Sequence, residues 1–402
     1  MSIPEPSPVH RQPELTPSWV VVGLAMGPAV AIGLARFAYA LLLPPMRADL
    51  GWSFAQAGAM NTANAAGYLV GALVAAPLGA RMGDKAVFAV GLVLTALAVG
   101  VSGLTAGFTL LMVLRVVAGF TGALAFVCGA GLTSVAAAGE SKSRAPTLLG
   151  IYFAGAGAGV TASALAVPPL LETVGWRGGW LVLGAIALAS TAFGLLALRR
   201  APEAAPALTD GAHGGWSPRF MACTLVAYGL FGAGYIAYAT FIIAYLRSAE
   251  GFSSGDVTRF WSILGLSSVA AAFVWGRVLA RLRGGSGIAA TLTILAIGTG
   301  APLLWTAPAG AYLSAILFGG SFLAVLAAVA SFARRSLKPH AVTGAIGLLT
   351  VVFGIGQCIG PVLSGALADG PSGLTAGLWL SVAILAVGAV IATFQSEPVD
   401  QS

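Results

Sequence analysis

Residues 19–43 read WVVVGLAMGPAVAIGLARFAYALLL. A helix needs about 20 predominantly apolar residues to cross the hydrocarbon core of a bilayer, and this stretch supplies them with a single charge. That charge, Arg36, is costly inside a membrane and by default marks a functional position. Two questions follow: whether the rest of the chain is built the same way, and what Arg36 meets there.

The rest of the chain is built the same way. Further spans are read at 55–78, 86–103, 108–132, 147–170, 179–198, 219–245, 259–282, 287–305, 309–332, 341–367 and 374–393. They are separated by short breaks carrying turn residues, such as ADLGWS, GDK and GGSG. Of the 402 residues, 58% are hydrophobic and only 8% charged, which a soluble core cannot absorb. The 55 glycines fit, because small residues let membrane helices approach closely. The expected fold is all-α and integral to the membrane, with twelve transmembrane helices.

The basic residues orient it. With a cytoplasmic N-terminus, the inner segments hold fourteen Lys and Arg and the outer segments four, namely Arg47, Arg177, Arg247 and Arg259. By the positive-inside rule this places both termini in the cytoplasm, and a bacterial-type plasma membrane is the expected location. The net charge of +7 is thus a topology signal rather than a nucleic-acid-binding face. Residues 1–18 are polar and proline-rich, without the basic region of a signal peptide, and read as a disordered tail before an uncleaved first helix.

The longest interior polar segment, about 199–218, divides the spans six and six, as an N-terminal bundle 19–198 and a C-terminal bundle 219–393, with a tail at 394–402. The halves answer each other at an offset near 200. GWS at 51–53 answers GFS at 251–253, Gly33-Leu-Ala-Arg36-Phe37 answers Gly234-Tyr-Ile-Ala237-Tyr238, and Phe153-Ala-Gly155 answers Phe353-Gly-Ile355. Two pseudo-symmetric six-helix bundles related by an axis along the membrane normal are a transporter architecture, with substrate bound between them near mid-membrane.

Arg36 lies roughly 12 Å and Arg115 roughly 10 Å from the outer ends of their spans, at 1.5 Å per residue. Each guanidinium either bonds backbone carbonyls or faces the centre and binds an anion bidentately. Asn61, Asn64 and Tyr68 fall on one helical face, which must meet protein or water rather than lipid. It is either an interhelical hydrogen-bond set or a wall of the substrate cavity. Gln357 is a buried amide that either binds substrate or satisfies backbone near Pro361. Tyr245 and Trp261 read as interface-belt aromatics.

No carboxylate or histidine lies well inside a span. Asp49, Asp84, Glu140 and Asp369 are at span ends or in loops, and His10, His213 and His340 are peripheral. An intramembrane enzyme would need a nucleophile with a base, or a metal cluster, and no enzyme activity is expected. Cys128, Cys223 and Cys358 are isolated, so no metal or cofactor is expected, and no phosphate-binding G-x-x-x-x-G-K-[ST] loop is present.

The pattern resembles the major facilitator superfamily (MFS) over essentially the whole chain. Leu78-Gly79-Ala80-Arg81-Met82-Gly83-Asp84-Lys85 is similar to the superfamily's G-x-L-A-D-R-x-G-R-K turn, with Ala80 where the acid stands. Arg115-Val-Val-Ala-Gly119-Phe-Thr-Gly122 resembles its R-x-x-x-G-x-x-G motif, and Gly155-Ala-Gly157-Ala-Gly159 its glycine-rich fifth span. Within the superfamily the chain is most similar to the YbfB/YjiJ family. The carriers are Ala35-Arg36-Phe37-Ala38-Tyr39, Asn61 to Leu69, and Gly354 through Gln357 to Pro361.

The resemblance implies the MFS fold and a small-molecule transporter working by alternating access. It places Tyr39, Tyr152, Tyr235 and Tyr238 on cavity-lining spans, beside Arg36, Asn61, Asn64, Tyr68, Arg115 and Gln357 as substrate-binding candidates. Arg81, Gly83, Lys85, Gly155, Gly157, Gly159 and Pro361 become candidates for conformational roles. The buried arginines make a small organic anion the expected cargo. Efflux of hydrophobic or drug-like compounds is the alternative, and a transport-inactive membrane sensor or scaffold the alternative of another class. The lipid bilayer is the expected environment, the chain is expected to act as a monomer, and no nucleic acid is expected as a partner.

Overall fold

The structure is a computed structural model that describes residues 17–138, 140–141, 144–202 and 218–397. Most of the expected N-terminal tail and central linker, and the last residues of the C-terminal tail, lie outside the described residues. Within them the chain is helical, with no strand. Eleven helical runs are long and apolar enough to cross a membrane. One of these, Arg144–Leu198, holds 55 residues. As a straight helix it would be about 80 Å long, against a hydrocarbon core of about 30 Å. It breaks at Gly175, whose φ of 61° and ψ of −172° are not helical. The run is therefore two crossings, and the total is twelve.

We number them α1 (Ser18–Leu50), α2 (Phe54–Met82), α3 (Asp84–Leu104), α4 (Phe108–Ala138), α5 (144–174), α6 (176–198) and α7 (Pro218–Ser248). The remainder are α8 (Ser254–Leu279), α9 (Ser286–Leu304), α10 (Pro308–Ser336), α11 (Pro339–Ala368) and α12 (Gly373–Thr393). The repeat seen in the sequence is also a repeat of conformation. Gly51, which caps α1, and Gly251, in the turn after α7, both stand in the left-handed region, at φ 65° and 67°. Ser53 and Ser253 then cap α2 and α8, each in a reciprocal capping box, with Gln56 and Asp256.

α1 is not a regular α-helix. Residues Ala29–Phe37 are π-helical, and the Ala38 N–H reaches back five residues to the Gly33 carbonyl at 3.0 Å. π-turns are rare and frequently sit at functional sites. Here the wide turn lies against α5 with almost no side chain between. A Cβ at Gly33 would stand 2.4 Å from the Gly159 carbonyl carbon, and one at Gly159 2.2 Å from the Ala29 oxygen. Arg36 is carried on this turn.

The two bundles meet along α2–α11 and α5–α8, with backbone against backbone. A Cβ at Gly58 would lie 2.3 Å from the Pro361 oxygen, and one at Gly157 2.5 Å from the Gly265 oxygen. Gly155 by contrast faces α1, where its Cβ would lie 2.2 Å from the Ala25 oxygen. α5 thus uses alternate glycines to hold α1 on one side and the opposite bundle on the other.

At the end of the molecule that carries residues 51 and 251, polar contacts fasten the bundles together. Asp369, after α11, accepts from the Phe54 N–H at 2.7 Å and the Ala55 N–H at 3.0 Å. These are free donors at the start of α2. The Arg47 guanidinium sits 3.6 Å over the Phe54 ring. Burial pushes the Asp369 carboxyl up, but the Ala55 and Phe54 N–H groups, the Ser53 hydroxyl and Arg47 outweigh it and hold it below the usual carboxylate range. On the pseudo-symmetric side, Ser254 donates to Glu172 of α5 at 2.8 Å and accepts from Arg247 at 3.2 Å.

Candidate functional site

Among the described residues, Arg36 and Arg115 are the only buried charged residues within the membrane-spanning helices. Burying a guanidinium is tolerable only when its donors find partners, and the two arginines differ in how far they do.

Arg115, on α4, is held within the N-terminal bundle. It donates to the Ala35 carbonyl in a short contact, to the Met60 carbonyl at 3.4 Å and to Asn61 Oδ1 at 3.0 Å. Its own carbonyl accepts from Asn64 Nδ2 at 3.2 Å. The guanidinium thereby cross-links α1, α2 and α4. Gly119, one turn on, lets α4 close on α2, since a Cβ there would lie 2.0 Å from the Asn64 oxygen.

Arg36 faces the other bundle. Its Nε donates to Asn64 Oδ1 at 2.9 Å, and its Nη1 to Gln357 Oε1 on α11 at 3.4 Å. The guanidinium carbon stands 4.5 Å above the Tyr68 ring. Nη2 is buried and has no hydrogen-bond partner. Gln357 in turn donates through Nε2 to the Tyr235 hydroxyl on α7 at 2.5 Å. A second cross-bundle bond runs from Asn61 Nδ2 to Thr240 Oγ1, at 2.6 Å.

The structure thus brings Arg36, Asn61, Asn64, Tyr68, Tyr235 and Gln357 together at the interface of the bundles, with Arg115 behind them. Tyr39, Tyr152 and Tyr238 are not part of this group. Their hydroxyls bond within their own bundles, Tyr39 to the Ala57 carbonyl at 2.8 Å, Tyr152 to the Phe126 carbonyl at 2.5 Å, and Tyr238 to Ser314. Trp261 and Tyr245 are not belt aromatics. Trp261 is fully buried beside Phe37 and Phe260, its indole N–H without a partner, and Tyr245 is 5% exposed. Thr240 was not singled out in the sequence, because a lone threonine in an apolar helix carries no periodic signal.

The aromatic side chains around Tyr235 are aligned. Phe231, Phe353 and Phe322 have ring centroids 4.6, 5.9 and 6.3 Å from Tyr235, with planes within 19° of it. Phe322 also packs on Phe37 at 5.1 Å, which ties this cluster to the Arg36 turn.

Of the conformational candidates, Gly155, Gly157, Gly159 and Pro361 lie in the helix contacts described above. Arg81 and Gly83 are exposed at the α2–α3 turn, where Gly83 has φ 87°. The superfamily's acid is absent at Ala80, but Asp84 brings a carboxylate against this turn. A Cβ on Gly79 would lie 2.1 Å from Asp84 Oδ1.

Twelve membrane helices in two repeated bundles, with a polar cluster between them, define a transmembrane transporter of the major facilitator class. The chain belongs to the family described as the uncharacterised MFS-type transporter YbfB, whose model matches residues 28–393. It is 27% identical over 374 residues to a chloramphenicol resistance protein of Streptomyces lividans, covering 90% of this chain and 92% of that protein. It is 31% identical over 377 residues to monocarboxylate transporter 11 of Mus musculus, covering 88% and 80%. Its fold is shared by a mutant of the nucleoside transporter NupG, with a TM-score of 0.72 at 16% identity, covering 93% and 98%. It is equally shared by an inward-facing, occupied bacterial homolog of the human lysosomal transporter Spinster, at TM-score 0.72 and 17% identity, covering 94% and 96%.

Proposed function

We propose that this transporter carries a small organic anion by alternating access, and that Arg36 binds the anion. One observation carries the reading: Arg36 keeps an unpartnered, buried Nη2 at the bundle interface, with only neutral groups at its other nitrogens. A buried unpaired donor is costly, and an anion arriving between the bundles offsets that cost. Asn64 and Gln357 orient the guanidinium, and Tyr68 lies beneath it. The glycine-packed α2–α11 and α5–α8 contacts are the surfaces on which the bundles rock, and the α2–α3 turn with Arg81, Gly83 and Lys85 belongs to the inner gate. Both termini lie in the cytoplasm of a bacterial-type cell.

The relatives differ in the cargo their names imply. The monocarboxylate transporter is named for an anion, and the chloramphenicol resistance protein for a drug. The aromatic surroundings of Tyr235 favour the second reading, efflux of apolar compounds. The experiment that separates them is a ligand screen by thermal shift on purified wild type and Arg36→Gln, covering organic anions and their uncharged analogues. Stabilisation by anions that disappears in Arg36→Gln supports anion transport. Stabilisation by neutral compounds that survives the substitution replaces it with efflux.

A further inference from the structure

Two donors at the bundle interface have no acceptor among the described residues. One is Arg36 Nη2, from the N-terminal bundle. The other is the hydroxyl proton of Tyr235, from the C-terminal bundle. The Tyr235 oxygen already accepts from Gln357 Nε2, and its own proton has no acceptor among the described residues. Gln357 fixes the pair relative to each other. Its Oε1 takes Arg36 Nη1 and its Nε2 serves Tyr235, so both open donors stand on the same side chain's two ends. The Arg36 guanidinium also comes within hydrogen-bonding reach of the Tyr235 hydroxyl oxygen.

We propose that the cargo is a monocarboxylate with a flat apolar body, its two carboxylate oxygens bridging Arg36 Nη2 and the Tyr235 hydroxyl. This rests on the anion reading above and goes further, in naming the second donor, the charge count and the body of the ligand. A carboxylate is a planar acceptor with two oxygens and suits two convergent donors.

The charge count is set by what surrounds it. Arg115 is engaged with Ala35, Met60 and Asn61, so of the two arginines in this cluster Arg36 alone has a free donor. One negative charge neutralises it. A second would be buried beside amides and aromatic rings and would find no free donor, since those of Arg115 are already engaged, which is unfavourable. The body of the ligand follows from the rings. Tyr235 belongs to a set of nearly parallel aromatics with Phe231, Phe353 and Phe322, and Tyr68 presents its face under Arg36. Such a surface favours a ring in offset or edge contact.

The arrangement also links binding to bundle closure. A ligand held by Arg36 alone stays with one bundle, whereas a ligand held by Arg36 and Tyr235 draws α1 and α7 together.

The test uses the full chain in detergent and four probes at neutral pH: benzoate, acetate, phthalate and benzamide. They represent an aromatic monocarboxylate, a monocarboxylate without a ring, an aromatic dicarboxylate and an uncharged aromatic isostere. Affinities are measured by thermal shift for wild type, Arg36→Gln, Tyr235→Phe and, as a control, Tyr39→Phe, whose hydroxyl bonds only within its own bundle. Tyr235→Phe keeps the ring and its stacking, and its melting temperature without ligand checks that it is folded.

Benzoate is expected to bind tightest. It should weaken roughly tenfold or more in both Arg36→Gln and Tyr235→Phe, because each removes a donor to a charged acceptor, and should be unchanged in Tyr39→Phe. Phthalate binding as tightly as benzoate, or benzoate indifferent to Tyr235→Phe but sensitive to Arg36→Gln, would overturn this inference and leave the anion reading standing. Benzamide binding as tightly as benzoate, with no effect of Arg36→Gln, would remove both. Folded wild type that binds neither monocarboxylate at millimolar concentration also overturns the inference.

Discussion

Arg36 and Arg115 are the same residue type at similar depth in neighbouring helices, yet they differ in how fully their surroundings satisfy them. Arg115 satisfies two backbone carbonyls and Asn61. Replacing it by methionine orphans those acceptors, each at about 1–3 kcal/mol, and should lower the melting temperature of the purified protein markedly. Arg36→Gln removes a charge that was already incompletely partnered, and should cost less than about 1 kcal/mol by the same measurement. Equal losses in the two variants would contradict this division. That these two positions would be buried charges was legible in the sequence, because a charge in an apolar run stands out. Which one would be saturated was not. It depends on carbonyls that the π-turn and α2 present to α4, and on Gln357 and Tyr235, which lie more than a hundred residues apart in the chain.

At the scale of elements, the decisive contacts join the bundles at one end. Asp369 occupies the open N–H groups at the start of α2. Its carboxyl is held below the usual range, so its contribution to closure is fully present above the ordinary carboxylate pKa and is lost only as pH falls through the depressed value. Spin labels on the exposed Thr109 and Pro371, one on each bundle, should therefore report one unchanged distance distribution between about pH 5 and pH 8, widening only in stronger acid. Asp369→Asn should widen it at neutral pH. A wild-type distribution that already shifts between pH 8 and pH 6 would show that another group governs this end. Helix existence was readable from hydropathy alone, and the α5–α6 break from the length of the run. The clasp was not, because Asp369 in the sequence is an ordinary acid at a span end.

At the scale of the whole molecule, the repeat at an offset of 200 is the most legible feature. Both glycine turns and both capping boxes recur with it, because each half solves the same problem of ending one helix and starting the next. The orientation expected from the basic residues is open to direct measurement. In a background with Cys128, Cys223 and Cys358 replaced, Ala106→Cys and Ala249→Cys should react with an impermeant maleimide on intact cells. Met82→Cys and Arg281→Cys, also exposed, should react only after permeabilisation. The opposite pattern would invert the topology.

The membrane-spanning interior holds two buried guanidinium groups and, among the described residues, no buried carboxylate within the spans to balance them. Such an interior feels the electric field across the membrane, which acts on a full elementary charge with about 2.3 kcal/mol per 100 mV. A monoanion at Arg36 lowers the charge carried through the loaded step by one, whereas the empty step carries both. One-for-one exchange moves the same charge in each direction and should be indifferent to an imposed potential. Net uptake pairs a loaded step with an empty one and should change speed with it. Proteoliposomes clamped with potassium and valinomycin distinguish the two regimes, and equal voltage sensitivity in exchange and in net uptake would mean that uptake moves no net charge across the membrane.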